Sequence, residues 1–382
     1  MNINLDSILN TLPPAGTHIA VGMSGGIDSS MAAWLLKQRG CQVIGLTMSI
    51  WDSSFPLEKT GVKGCFGPNE KHEIEMAQSV AQRLGIPFHV IPLAEEYHNT
   101  VLEYFRKEYL SGRTPNPCVR CNRMVKFGFL IERAEKIGIP FEYFATGHYA
   151  RVQFDHTRSR FILSRGTDRE KDQSYFLSML RQEQLQKIVF PLGNLTKSHV
   201  RIIAKEAGFP ELVEQDESQD FLEGSKYDVL FDENEVKEGN IVDEQGNILG
   251  KHHGIIHYTI GQRKGLGIGG AEEPYYVVGL DPIRNCVIVG HKPCLLKSSM
   301  KVIECNWVSI PEPPATPTKV HCKIRLRHEP ALALMEKVSP SGDTVHITFD
   351  EPQSAITPGQ TAVFYSSDLV LGAGIIDSVE NQ

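Results

Sequence analysis

Over the first 150 residues, short apolar runs alternate with stretches of helical spacing, and glycines mark the changes. His18 to Met23 is a brief apolar run and reads as a buried strand. Asp28 to Arg39 sets Met31, Trp34, Leu35 and Leu36 at helical spacing, and Gly40 ends the helix. Cys41 to Ile50 is a second apolar strand. Residues 51 to 67 read as a loop that carries Cys65. Asn69 to Leu84 reads as a helix closed by Gly85, Pro87 to Leu93 as a third strand, and Ala94 to Leu110 as a third helix. A loop bearing prolines and cysteines, Arg113 to Asn122, leads to a helix over Arg123 to Lys136 and a fourth strand over Phe141 to Thr146. Such alternation predicts a parallel sheet with helices on both faces.

The pattern then changes. Ala150 to Phe154 and Arg160 to Ser164 read as a hairpin. Two helices follow, near 173–187 and 197–207, with Thr196 as N-cap of the second. Beyond Gly239 the chain is strand and turn. Asp243 to Asn247 is a hairpin turn, and apolar alternation recurs at 275–280, 286–290, 301–309, 319–326, 343–349 and 360–366. The fold class expected is α/β: an N-terminal doubly wound parallel sheet, then two small β-rich domains, the last a β-barrel. The expected division is 1–210, 211–275 and 276–382.

Composition narrows the class. The chain has 382 residues, 41% hydrophobic and 22% charged, the balance of a soluble globular protein. No apolar run approaches ~18 residues, so no membrane-spanning helix is expected. The first residues lack a basic segment followed by an apolar one, so no secretory signal is expected. Eight cysteines in a chain of this length imply reduced thiols and a cytoplasmic setting. The net charge of −7 hides segregation: 14 Lys/Arg against 8 Asp/Glu over 101–171, and 2 against 13 over 211–250. The basic segment fits an anionic partner, although solvated helix faces account for it equally well.

Candidate chemistry begins at Val21-Gly22-Met23-Ser24-Gly25-Gly26-Ile27-Asp28-Ser29-Ser30. A strand, a glycine-rich turn and a helix make an anion cradle. Gly25 and Gly26 let the backbone approach a phosphate, and the first helical amides and the helix dipole favour negative charge. Ser24, Ser29 and Ser30 offer hydroxyls. Asp28 repels bare phosphate, which points to Mg2+ alongside it. The turn holds no lysine, so it is neither a Walker A loop nor a dinucleotide fingerprint.

The pattern Ser-Gly-Gly-x-Asp-Ser resembles the PP-loop of the N-type ATP pyrophosphatases. Further stretches narrow the resemblance. They are Arg113-Thr114-Pro115-Asn116-Pro117 with Cys121-Asn122; Lys126-Phe127-Gly128; Ala145-Thr146-Gly147-His148-Tyr149; Lys171-Asp172-Gln173-Ser174-Tyr175-Phe176; and His257 to Gly267. In this order they resemble the tRNA-specific 2-thiouridylases (MnmA/TrmU). That resemblance implies ATP-dependent 2-thiolation of the wobble uridine of tRNA: ATP adenylates the C2 oxygen, and a cysteine-borne sulfur replaces AMP. It implies ATP contacts at Gly22, Met23, Ser24, Gly25, Gly26, Ile27, Asp28, Ser29, Met48 and Gly147, with Asp28 catalytic. Asn116, Pro117 and Cys118 match the target-base contact, where the uridine must leave its stack. Lys171, Asp172 and Gln173, and Arg325 with Leu326, match tRNA-contact segments. The second of these usually reads Arg-Tyr, so Leu326 removes a stacking ring. The implied partners are tRNA and a sulfur donor such as a cysteine desulfurase or sulfur-relay protein.

The cysteines depart from that family. Cys121 matches the one that follows Asn-Pro-Asp-x-x-Cys. The second sits in a stretch like Glu-Ser-Gln-Asp-Ile-Cys-Phe. Here Glu217-Ser218-Gln219-Asp220 runs on as Phe221-Leu222-Glu223, and no cysteine lies between Cys121 and Cys286. The Asp three before Cys121 has become Cys118, and Cys65 stands after the second strand. Three readings stay open. Cys118 and Cys121 share persulfide and release by disulfide formation; or Cys65, Cys118 and Cys121 hold a [4Fe–4S] cluster; or the pair is half of a zinc site or inert. The cluster is favoured, because Cys65 and Cys118 appear where the carrier has gone. Cys41, Cys286, Cys294, Cys305 and Cys322 read as packed thiols. His148 reads either as a phosphate neighbour or as a packed histidine, and His252, His253 and His257 have no thiol nearby to make a metal site.

Overall fold

The structure is a computed structural model that describes residues 4–57, 64–214, 220–224, 227–269 and 273–380. The chain forms two compact units. One comprises Met1–Thr100, Cys118–Lys226 and Asp368–Val370, the other Val101–Pro117, Tyr227–Ser367 and Leu371–Gln382.

The first unit is built on strands β1 (His18–Gly22), β2 (Gln42–Ser49), β4 (Phe88–Pro92), β5 (Tyr143–Ala145) and β8 (Ile188–Val189), in the order β4-β2-β1-β5-β8. All the neighbours are parallel, with Val21 opposite Gly45 on one side and Ala145 on the other. β1 is central, and Ile19, Ala20 and Val21 are wholly buried, as a strand covered on both faces must be. Helix α1 (Leu5–Leu9) and α2 (Ile27–Gln38) precede and follow β1, and α3 (Glu70–Leu84) follows β2. Met31, Leu35 and Leu36 of α2 and Ala77, Val80 and Leu84 of α3 share one core with β1. Gly85 closes α3 in the left-handed conformation, φ 61°, the usual reason for a glycine there.

The stretch read as a loop from 51 to 67 contains a strand, β3 (Gly64–Phe66). It pairs in parallel with β9 (Asp220–Leu222), with Gly64 opposite Asp220 and Phe66 opposite Leu222. Three residues are too few to show a period, and the partner lies far along the chain. The buried Glu223 carboxylate ties the pair down by accepting from the Asn69 amide at 2.9 Å and from the Asn69 side chain. Glu217, Ser218 and Gln219 lie outside the described residues. The hairpin β6 (Ala150–Asp155) and β7 (Arg160–Arg165) forms as expected and pairs with Leu369 and Val370. The helix read over 173–187 is two short ones, Ser174–Leu177 and Gln182–Leu185. The helix that follows Pro117–Cys121 is wound as a π-helix over Asn122–Phe129 before Leu130–Lys136 resumes α geometry. The looser winding leaves carbonyls without their α partners, and Gln184 Nε2 donates to two, Arg123 O at 2.7 Å and Phe127 O at 2.9 Å. π turns concentrate at functional sites.

The second unit holds a four-stranded sheet. Its strands β10 (Gly239–Val242), β11 (Ile248–His252), β12 (Tyr276–Asp281) and β13 (Cys286–Gly290) lie in the order β11-β10-β13-β12. It also holds a closed barrel of β14 (Leu296–Trp307), β15 (Thr318–Lys323), β16 (Ala331–Lys337), β17 (Val345–Ser354), β18 (Thr361–Ser366) and β19 (Leu369–Glu380). β14 pairs with both β17 and β19 to close it. Alternate residues Val320 and Cys322, Ala333 and Met335, and Val345, Ile347 and Phe349 fill its interior. β19 was not legible in the pattern, because Gly372 and Gly374 interrupt its alternation. Both are needed for close approach: a Cβ at Gly372 would lie 2.6 Å from Asn306 O and 2.6 Å from the Trp307 ring.

Gly372→Val is therefore expected to lower stability by about 1–3 kcal/mol through overpacking. Urea unfolding, with midpoint and slope compared to wild type, measures this.

Candidate nucleotide and thiol site

The glycine-rich turn folds as its residues require. Gly25 sits at φ +77°, and a Cβ there would lie 2.9 Å from Met76 Cβ and 3.0 Å from Ala77 N of α3. Gly26 caps α2 from an extended conformation. The hydroxyls of Ser29 and Ser30, read as phosphate donors, are turned inward: both donate to Gly26 O, at 3.2 and 2.8 Å. Ser29 Oγ also accepts from the Ser24 amide at 3.2 Å. They stiffen the cradle rather than line it. Met23 and Ile27 are buried as well, so what these residues offer a phosphate is backbone N–H.

Three parallel strands bring the rest to one edge. Gly22 ends β1, the half-buried Met48 lies near the end of β2, and Gly147 follows β5. Open α/β sheets bind ligands at the C-terminal ends of their strands. Gly147 is packed against the loop itself: a Cβ there would lie 2.6 Å from Asp28 C and 2.7 Å from Ser29 N. Its lack of a side chain sets how closely β5 approaches the start of α2.

Asp28 carries the main departure from expectation. Both its oxygens accept from Lys197 Nζ, at 2.8 and 2.7 Å, and Tyr149 donates its hydroxyl to Oδ1 at 2.7 Å. An ammonium thus stands where a Mg2+ was expected. Among the described residues no group of three His, Cys, Asp or Glu side chains is arranged to hold a metal ion. A Mg2+ bound here would take Asp28 as its protein oxygen and the rest from phosphates and water, the usual habit of that ion. Lys197 and Tyr149 carried no signal of this role in the sequence. Tyr149 closes a motif without a predicted contact, and Lys197 is 169 residues from its partner.

Cys65, Cys118 and Cys121 gather around one buried side chain. Tyr97 is stacked on Phe66 at 5.4 Å. Its hydroxyl is held well above the usual phenol range by burial first, then by Cys121, Cys65, Cys118 and Glu70. Burial pushes the Cys121 thiol up to about 11; the Lys126 ammonium opposes that shift and Cys65 adds to it. Cys65 is exposed, Cys118 and Cys121 are half-buried, and all eight cysteines are free thiols. Cys118 and Cys121 are one turn apart on the short helix Pro117–Cys121. Glu70 shapes the approach to Cys65 by accepting from the amides of Ile50 and Trp51, at 2.6 and 2.9 Å.

His148 is settled as a packed ring. It shares a 2.7 Å hydrogen bond with Thr146 and packs on Phe127 and Phe190. Burial, with help from Lys126, keeps its pKa well below the usual imidazole range.

The residues matched to tRNA contacts divide. The Asp172 carboxylate is 2% exposed and accepts from Arg165 Nε, the Gly166 amide and the Ser174 amide and hydroxyl, all at 3.0–3.1 Å. Gln173 Oε1 accepts from the Tyr149 amide at 3.0 Å. These two side chains hold their segment in shape, and Lys171 is the half-buried cation beside them. In the second unit, Arg325 donates to Ser354 O and Ala355 O, and Leu326 next to it is 40% exposed. The segment leading to Asn116 and Pro117 is anchored there too. Arg113 binds the Ile376 and Asp377 carbonyls and Glu108, the Gln360 amide donates to Thr114 O and Pro115 O, and Thr114 shares a 2.7 Å bond with Thr259. Much of the basic excess is paired within the protein, as with Arg106 on Glu235, Arg133 on Glu96, and Arg151 and Arg169 on Asp368. Its +6 balance is largely structural.

Comparison with known proteins gives the family. Residues 17–222 match the tRNA methyl transferase HUP domain, 227–291 the tRNA methyl transferase PRC-barrel domain, and 297–376 the aminomethyltransferase beta-barrel domain. The tRNA-specific 2-thiouridylase MnmA of Endomicrobium trichonymphae is 46% identical over 360 residues, 94% of this chain and 98% of its own. The chain belongs to the tRNA-specific 2-thiouridylase family. The protein of that name from Clostridioides difficile is 41% identical over the same shares. Among solved structures, the NMN synthetase of Francisella tularensis covers 59% of this chain and 78% of its own, with 16% identity and a TM-score of 0.36. The 2-thiouridylase resemblance drawn from the motifs thus holds along the whole chain.

Two outcomes follow from this geometry. Gly147→Ala is expected to weaken ATP binding by about tenfold or more by displacing Asp28 and Ser29, while far-ultraviolet circular dichroism stays unchanged; isothermal titration checks it. His148 binds protons less readily folded than unfolded, so its contribution to stability is present above about pH 6.5 and lost as pH falls through its lowered value. Urea midpoints between pH 7 and pH 5 are expected to fall, and less so in His148→Gln.

Proposed function

We propose that this chain is an ATP-dependent tRNA 2-thiouridylase acting on the wobble uridine. One observation carries the reading: a phosphate cradle at the C-terminal ends of parallel strands and a set of three thiols lie in the same compact unit. The backbone amides of residues 24–30 hold the ATP phosphates, with Met48 and Gly147 beside the adenosine and Mg2+ between Asp28 and the phosphates. The uridine C2 oxygen attacks the α-phosphorus. The O–Pα bond forms, the Pα–O–Pβ bond breaks, and pyrophosphate leaves with the electron pair. A sulfur nucleophile then adds at C2 and AMP departs. Asn116 and Pro117 hold the flipped base, and Lys171 and Arg325 meet tRNA phosphates.

Cys65, Cys118 and Cys121 form the sulfur-handling set, and together they would hold a [4Fe–4S] cluster, whose ligands span more than the shell of a single ion. When bound, such a group supplies sulfide, sulfur already at the oxidation level of the product. Support comes from the register Phe66 opposite Leu222. Leu222 stands at the place of the family pattern's second cysteine, and the strand paired with it carries Cys65. The turn-apart spacing of Cys118 and Cys121 favours a second reading, persulfide exchange between them. That route ends in a Cys118–Cys121 disulfide and calls for an external thiol reductant and a sulfur-donor protein.

Incubation with unmodified tRNA, ATP and a sulfur source, followed by nucleoside mass spectrometry, tests the reading. We expect 2-thiouridine only with ATP, and pyrophosphate release only with tRNA. Cys121→Ala should bind ATP as wild type does and form no 2-thiouridine. Pyrophosphate release without tRNA but with a small carboxylate acceptor would instead make the chain an adenylating ligase.

A further inference from the structure

The glycine-rich loop contains no lysine, yet the fold delivers one to it. Lys197 opens the helix Lys197–Glu206, whose N-cap Thr196 accepts from the His199 amide at 3.2 Å. The Lys197 amide donates to Asp168 Oδ2 at 2.8 Å, which fixes where the side chain starts. From there the ammonium reaches both oxygens of Asp28, in the first turn of α2. The exposures are unequal: 7% of the Lys197 side chain meets solvent, against 28% for Asp28. Burying a lysine is costly. An aspartate in the first turn of a helix is already favoured by the dipole and gains little that would require a buried cation. The arrangement makes more sense for a second anion at the same place.

We propose that Lys197 is a phosphate-binding residue of this loop. It rests on Asp28 while the cradle is empty, and turns to the β- and γ-phosphates when ATP fills it. This deepens the reading of residues 22–30 as an ATP site and rests on it. When the Pα–O–Pβ bond breaks, the electron pair and one further negative charge go to pyrophosphate. The ammonium, a compact point charge with three rotatable donors on a flexible stem, follows that charge without a proton moving. The lysine that other phosphate loops carry in line is here supplied from a separate helix.

The test is binding of inorganic pyrophosphate to the full chain with divalent cations chelated, so that only amides and side chains can hold it. Four proteins are compared: wild type, Lys197→Met, Asp28→Asn and the double variant. A charged hydrogen bond predicts about 10- to 100-fold weaker binding in Lys197→Met. Asp28→Asn removes a repelling charge and frees the ammonium, so it should bind more tightly than wild type. The double variant should lose that gain and fall at least 10-fold below Asp28→Asn. It replaces the ion pair by neutral groups of similar size, so it keeps the test open if Lys197→Met alone does not fold; thermal unfolding reports this. A double variant that binds as tightly as Asp28→Asn would make Lys197 a structural counter-ion only, and would overturn the proposal while leaving the ATP site intact. Failure of wild type to bind ATP with Mg2+ would overturn the ATP site itself.

Discussion

The Asp28–Lys197 ion pair governs how the first unit is assembled. A lysine so deeply placed needs an acid beside it, and the acid sits on the turn that follows the central strand. The pair therefore joins the helix after β8 to the helix after β1, and Tyr149, from the segment after β5, completes it. Removing one member of such a pair typically costs about 3–5 kcal/mol, of the order of a whole domain's margin. Gly147 fits the same place by having no side chain. Three elements far apart in sequence are thus fixed within hydrogen-bond distance of the phosphate cradle, and the chemistry inherits that rigidity.

The thiol set depends on a different constraint, the short parallel pairing of β3 with β9. Gly64 allows the two backbones to approach, and the buried Glu223 holds the turn at Asn69. That pairing presents Cys65 to the region of Tyr97, which Cys118 and Cys121 reach from their helix. The same strand pair makes the missing second cysteine intelligible: a thiol absent from one strand is present on its neighbour. Lys126, in the π-helical segment, is the cation that opposes the burial of Cys121.

Much of this was legible in sequence where a period or a motif was long enough. The alternation of β1, α2, β2 and α3 spans many residues each, and so does the barrel alternation from β14 to β18. The cradle was legible because glycine, serine and aspartate each have a local reason to be there. What escaped notice was non-local. β3 and β9 are three residues each, and β19 is masked by glycines that serve Trp307. Lys197 looks like any lysine in the first turn of an amphipathic helix until the fold sets it against Asp28. Asp172 was read as a contact for tRNA from its motif alone; its carboxylate is spent on Arg165, Gly166 and Ser174. A motif marks a segment, and burial decides which side chains of the segment can face outward.

The central claim is that the three thiols act as one sulfur-handling set. The most direct measurement is iron and labile sulfide content, with the visible absorption spectrum, after purification without oxygen, on wild type and on Cys65→Ala. The account predicts about four irons per wild-type chain with a broad absorption in the visible, and loss of both in Cys65→Ala. Wild type free of iron, together with a Cys65→Ala variant that still thiolates tRNA, would contradict it and leave the chemistry to Cys118 and Cys121.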